Sequence, residues 1–134
     1  MDRPSKSFTW EEFTCNCGCG TAYVSKAAIR KLQNLRDVIG QPFVIVSAAR
    51  CPKHNWEVGG TKHSQHLSFK GRKANGETYI HESTAFDIRT VEHDQDEMAR
   101  RAQMAGFGGI GRYNTFLHVD DRGSIARWNE RDAG

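Results

Sequence analysis

The segment "TFLHVDD", residues 115–121, alternates apolar and polar side chains. In an extended chain Leu117 and Val119 fall on one face and His118 and Asp120 on the other, because strand side chains repeat every second residue. "TAFDIRT", residues 84–90, follows the same rule, with Phe86 and Ile88 opposed to Asp87. Two such strands put an imidazole and a carboxylate on the polar faces of a sheet, where they can meet. A loop histidine, His66 in "GGTKHSQHLSFKG" (59–71), would complete a His/Asp/His set. Zinc takes these donors, and catalytic sites commonly use three and leave a position for water. Plainer readings exist for the same residues. A strand histidine can be a hydrogen-bonded structural group, and Asp87 can cap a turn or pair with Arg89 or Arg112.

Around these strands the chain supplies helices. Residues 25–39, "SKAAIRKLQNLRDVI", carry Ala28, Ile29, Leu32, Leu35 and Ile39 on one face. Ser25 is a cap and Gly40 a stop. "FTWEEF" has Thr9 three residues before Glu12, a capping-box spacing that starts a short helix. "DQDEMARRAQMAGF", 94–107, predicts another helix with acids at its start and Gly106 near its end. "FVIVSA" after Pro42 predicts a buried strand. "GGIGRY" and "TFLHVDD" predict two strands joined at Asn114. Residues 51–82, polar and rich in Gly, His and Lys, predict a long loop with a hairpin inside it. The expected fold class is α+β: one domain spanning 1–134, helices packed on a mostly antiparallel sheet.

The bulk properties narrow the function. With 134 residues there is room for one core. The net charge of +3 favours anionic surfaces only weakly, and no basic helix with interleaved aromatics marks a nucleic-acid binder. The longest apolar run, 43–49, is too short to enter a bilayer. "MDRPSKSFTW" lacks an apolar signal core, so synthesis in the cytoplasm is expected.

Three blocks, which include the strands above, carry a resemblance: "SAARCPKHNWEVGGTKHSQHL" (47–67), "STAFDI" (83–88) and "GFGGIGRYNTFLHVDDR" (106–122). The chain resembles the zinc D-alanyl-D-alanine carboxypeptidase family, which shares its fold with lysostaphin-type peptidases and hedgehog signalling domains. It looks closest to the small branch of phage lysis proteins and murein endopeptidases, and "FTWEEFTCNCGCG" is similar to that branch's N-terminus. The resemblance implies one catalytic Zn2+ held by His66, Asp87 and His118. It implies that Arg50 binds a substrate carboxylate or carbonyl, which a guanidinium can do bidentately, and that Ser64 supports His66 by a hydrogen bond. The implied activity is hydrolysis of peptide bonds in peptidoglycan stems or cross-links, by a monomer acting on the cell wall, in the manner of a carboxypeptidase or an endopeptidase.

The sequence departs from the family pattern in places. His66 and Asp87 are separated by twenty residues, Leu67 to Phe86, a longer gap than the motif has, which implies an inserted hairpin at about 69–82. Ser83 stands where the motif has glycine, and "SAAR" replaces "SGYR". His81, six positions before Asp87, is a rival ligand, or with Glu82 a group at the rim that selects substrate. The residues two and three before the last ligand, Phe116 and Thr115, cannot take a proton. Asp120 is therefore the expected general base, with His63 and Glu57 as weaker candidates, and its alternative role is to orient a ligand or pair with Arg122.

The cysteines Cys15, Cys17, Cys19 and Cys51 leave three states open: one structural zinc, one or two disulfides, or free thiols. Two rival functions remain beside the enzyme. One is a zinc-containing wall-binding domain without turnover, and the other is a metal-free structural protein.

Overall fold

A computed structural model describes residues 2–132. The elements follow the order α1 (Trp10–Phe13), α2 (Lys26–Ile39), β1 (Ile45–Ser47), α3 (Pro52–Glu57), β2 (Phe69–Arg72), β3 (Thr78–His81), β4 (Ala85–Arg89), α4 (Gln95–Met104), β5 (Gly109–Arg112), β6 (Phe116–Asp120) and β7 (Ala126–Asn129). Five strands form one sheet in the order β1-β4-β6-β5-β7, and β2 and β3 form a separate hairpin. All pairs in the main sheet are antiparallel except β5 with β7, which is parallel. The fold is α+β, as the sequence predicts.

Helix α2 starts where Ser25 Oγ accepts the Ala28 N–H, and stops at Gly40, whose φ of 74° suits a residue without a Cβ. Its face of Ala28, Ile29, Leu32 and Leu35 is buried. Helix α4 begins at Asp94, whose side chain accepts the Glu97 N–H, and buries Met98, Ala99 and Ala102. These faces meet Phe86 and Ile88 of β4 and Leu117 and Val119 of β6 in one core. Full burial of each large apolar side chain contributes about 1.5–3 kcal/mol. The apolar face of the sheet is thereby fixed to the helices, and the opposite faces of β4 and β6 are left for polar groups.

Three local expectations change. The strand expected in 43–48 is shorter and lies at a sheet edge, with Val44 and Val46 exposed and only Phe43 of its large residues in the core. The stretch 51–82 is not all loop and hairpin. Pro52 sits in the first turn of α3, where its missing N–H costs nothing, and Cys51 caps the helix. Strand β7 was not foreseen, and it closes the far edge of the sheet.

Candidate metal centre

In β4 and β6 the register opposes Asp87 directly to His118. The alternation that buries Phe86, Ile88, Leu117 and Val119 turns both polar side chains to the other face. His66 arrives from the loop before β2, whose backbone is tied to residue 50: Arg50 N–H bonds His66 O at 2.8 Å and Ser68 N–H bonds Arg50 O at 2.8 Å. The three side chains converge. His66 Nε2 lies 3.1 Å and His118 Nδ1 3.0 Å from the same oxygen, Asp87 Oδ1.

The nitrogens on the far sides of both rings are already engaged. His66 Nδ1 is 2.7 Å from the Ala48 carbonyl, which can only accept, so that nitrogen carries the proton. His118 Nε2 is 2.7 Å from Asp120 Oδ2. Asp120 also accepts from the Arg122 side chain, Nε at 2.8 Å and Nη2 at 2.7 Å, and from the Arg122 N–H at 3.1 Å. Burial opposes ionisation of Asp120, but the hydrogen bonds from Arg122 and His118 outweigh it and hold the carboxyl below its ordinary range. An ionised Asp120 accepts a hydrogen bond from His118 Nε2–H. What remains facing Asp87 is two imidazole lone pairs.

Asp87 shows the same contest. Burial would raise its pKa, yet the hydrogen bonds and charges that His118 and His66 supply when a second proton occupies the facing nitrogen hold it below the carboxylate range. For His118, burial disfavours the imidazolium, while Asp120 and Asp87 favour it and prevail, so its pKa is raised. Three acceptors facing one point need a shared cation, and a proton on His118 is the poorer substitute for one. The donor set, its mutual distances and its outer partners all fit zinc.

Above this trio opens a cleft of about 680 Å³. Arg50 lies on one side, its Nη2 3.6 Å from Asp87 Oδ2 and its Nη1 3.1 Å from Asn55 Oδ1. Gly59, Gly60, Thr61 and His63 form a rim, and Tyr113, Phe116 and Trp128 form an aromatic wall. The rings of Tyr113 and Phe116 stack at 4.4 Å, and Trp128 Nε1 donates to the Tyr113 hydroxyl at 2.8 Å.

The remaining residues singled out in the sequence fall as follows. Ser64 Oγ accepts the backbone N–H of His66 at 3.1 Å, so it shapes the turn and does not touch the ring. His63 is exposed and lines the cleft. His81 is on the exposed hairpin, stacked on Phe69 at 5.0 Å, and is not brought to the trio. Arg89 and Arg112 pair with Glu92 and Asp96, leaving Arg50 as the arginine at Asp87.

Two contributors escaped sequence reasoning. Buried Asn55 accepts from Arg50 and donates from Nδ2 to Thr61 O at 3.0 Å, which joins the arginine to the rim. A Cβ on Gly60 would collide with the Asn55 amide. Pro52 directly after Cys51 was the available signal that a helix begins there and places Asn55. Trp128 is the other, and its indole lies across Gly111, where any Cβ would strike it.

Among the described residues a second metal-capable group exists, Cys15, Cys17, Cys19 and Cys51. No helix among them is long and apolar enough to cross a membrane.

The chain belongs to the Peptidase M15 family, the zinc D-Ala-D-Ala carboxypeptidase-like peptidases, whose model matches residues 6–120. A search of curated proteins found no match. Peptidases of this family are zinc-dependent, and both the His/Asp/His and the Cys group could hold a metal ion.

Proposed function

We propose that the chain hydrolyses peptide bonds of peptidoglycan stems or cross-links, with one catalytic zinc held by His66 Nε2, Asp87 Oδ1 and His118 Nδ1. The observation that carries this reading is the pair of imidazoles whose outer nitrogens are committed to Ala48 and Asp120, so that their lone pairs face one carboxylate beneath an open cleft. A zinc ion there supplies Lewis acidity, polarising a peptide carbonyl and lowering the pKa of water.

The chain's own residues do the rest. Arg50, held by Asn55 and leaning on Asp87, offers its guanidinium to a substrate carboxylate or carbonyl at the cleft. The aromatic wall and the glycine rim bracket an extended peptide. Asp120 positions His118 and fixes its tautomer. It is fully buried and accepts four hydrogen bonds, so it is poorly placed to take a proton from water. That moves the weight from the general-base role expected of it to the orienting role. His63, exposed at the rim, becomes the group to exchange a proton with the leaving amine. The trio is complete within one chain, which supports action as a monomer, and a wall substrate implies action outside the cytoplasmic membrane.

The test is digestion of purified peptidoglycan by the zinc-loaded protein, with mass analysis of the products. Released D-alanine indicates a carboxypeptidase, and dimers converted to monomers indicate an endopeptidase. Binding to the wall with zinc present and no product of either kind would replace the enzyme with a non-catalytic wall-binding domain.

A further inference from the structure

We propose that Cys15, Cys17, Cys19 and Cys51 form a second, structural zinc site that anchors the N-terminal loop to the residue after Arg50. Three sulfur pairs lie at nearly equal distances: Cys15–Cys17 at 3.4 Å, Cys17–Cys51 at 3.7 Å and Cys15–Cys51 at 3.8 Å. Four sulfurs placed tetrahedrally about 2.3 Å from zinc are separated by about 3.8 Å. The fourth sulfur, of Cys19, is within 4.8 Å of the others. A disulfide would instead draw one pair to about 2.05 Å and set the rest apart.

The surrounding backbone is arranged for sulfur ligands. Cys51 N–H donates to Cys15 Sγ and His54 N–H to Cys51 Sγ, both at 3.4 Å. Gly18 and Gly20, with φ of 87° and 83°, let "CNCGCG" double back on itself, and Cys15 N–H closes the loop on Thr21 O at 2.7 Å. Apolar packing accounts only for Cys15, because Cys17 and Cys19 are exposed. Binding is a ligand exchange without redox change: zinc takes up the thiolates and the thiol protons pass to solvent.

The site has a mechanical role. Ala49 N–H bonds Phe13 O at 3.1 Å, and Asn16 Nδ2 bonds Val46 O at 2.9 Å, so the loop already runs beside the segment that ends in Arg50. A zinc knuckle fixes Cys51, and with it the N-terminus of α3 and the base of the Arg50 side chain.

The experiment uses the full chain, purified without oxidant and loaded with zinc or with cobalt(II). The expected result is two bound zinc ions per chain. Cobalt should show an intense sulfur-to-metal charge-transfer band, retained in His118→Ala and lost in the Cys17→Ser/Cys19→Ser double variant. Unfolding with chelator and alkylating reagent should modify all four cysteines. A wild-type cobalt spectrum lacking the thiolate band overturns the proposal. So does alkylation of two cysteines or none, which assigns disulfides. Both decisive readouts come from the wild-type protein, so they stand even where the double variant fails to fold. Because the band belongs to sulfur, its loss is distinct from failure of the His/Asp/His centre.

Discussion

The chain carries two clusters of side chains that could hold a metal ion, on opposite kinds of scaffold. His66, Asp87 and His118 are buried, two of them on central strands, and each imidazole is held by a partner behind it. The cysteines sit on a glycine turn and a helix cap, partly exposed, with sulfurs that mostly meet one another. The first arrangement spends three donors and opens onto a cleft, while the second closes on itself with four. In zinc proteins that difference separates catalysis from structure. Here it also separates two kinds of rigidity, one borrowed from the sheet and one that the proposed metal would provide.

The largest effect that would test this contrast is expected from His118→Ala. It should lose the zinc of the trio and bring hydrolysis to background, while the cysteine group keeps its metal, as measured by zinc content and product release. Next comes Asp120→Asn, which removes the acceptor that fixes His118. Zinc affinity should fall by about 10–100-fold, read by competition with a chelating dye. Unchanged affinity with a collapsed kcat would instead restore Asp120 as a general base.

A third prediction concerns pH in chelator-treated protein. The raised pKa of His118 means the folded, metal-free state binds its proton more tightly than the unfolded chain does. That stabilisation is complete below about pH 6.5, the ordinary histidine value, and is lost as pH rises through the raised pKa. The depressed pKa values of Asp87 and Asp120 act in the other direction, and their contribution fades only in acid below about pH 4. The Tm of the metal-free protein should therefore fall as pH rises above about 6.5. The zinc-loaded protein should show the reverse trend, since protons compete for its ligands. Parallel melting curves for the two forms would contradict this account of the trio.

The smallest effect is expected from Asn55→Ala. Leaving Arg50 and the Thr61 carbonyl without their partner should cost about 1–3 kcal/mol in denaturant unfolding. It should also raise KM more than it lowers kcat.

Periodicity revealed what periodicity governs. Helix α2 was legible because fourteen residues give nearly four turns of amphipathic pattern between Ser25 and Gly40. Strands β4 and β6 were legible because Asp87 and His118 interrupt apolar residues at every second place. Helix α3 was not, since six residues leave no pattern to count. "ARWN" of β7 has no run of apolar alternation, and its pairing with β5 depends on a neighbour brought close by folding. Val44 and Val46 read as buried because they are β-branched, but their strand took the sheet edge, where one side faces water. Asn55 was hidden for another reason. Its importance lies in joining Arg50 to Thr61, a connection through space that no spacing rule expresses. The placement of Asp120 was legible from alternation, but its partner Arg122 decided its state.

The one side chain that β7 adds to the aromatic wall, Trp128, has a consequence for how the cleft can change. Trp128 lies outside the span matched by the family model, whereas His66, Asp87 and His118 lie within it. Part of the cleft wall thus lies in a different stretch of the polypeptide from the His/Asp/His trio. A descendant could exchange β7, and with it one face of the cleft, while inheriting the His/Asp/His trio intact.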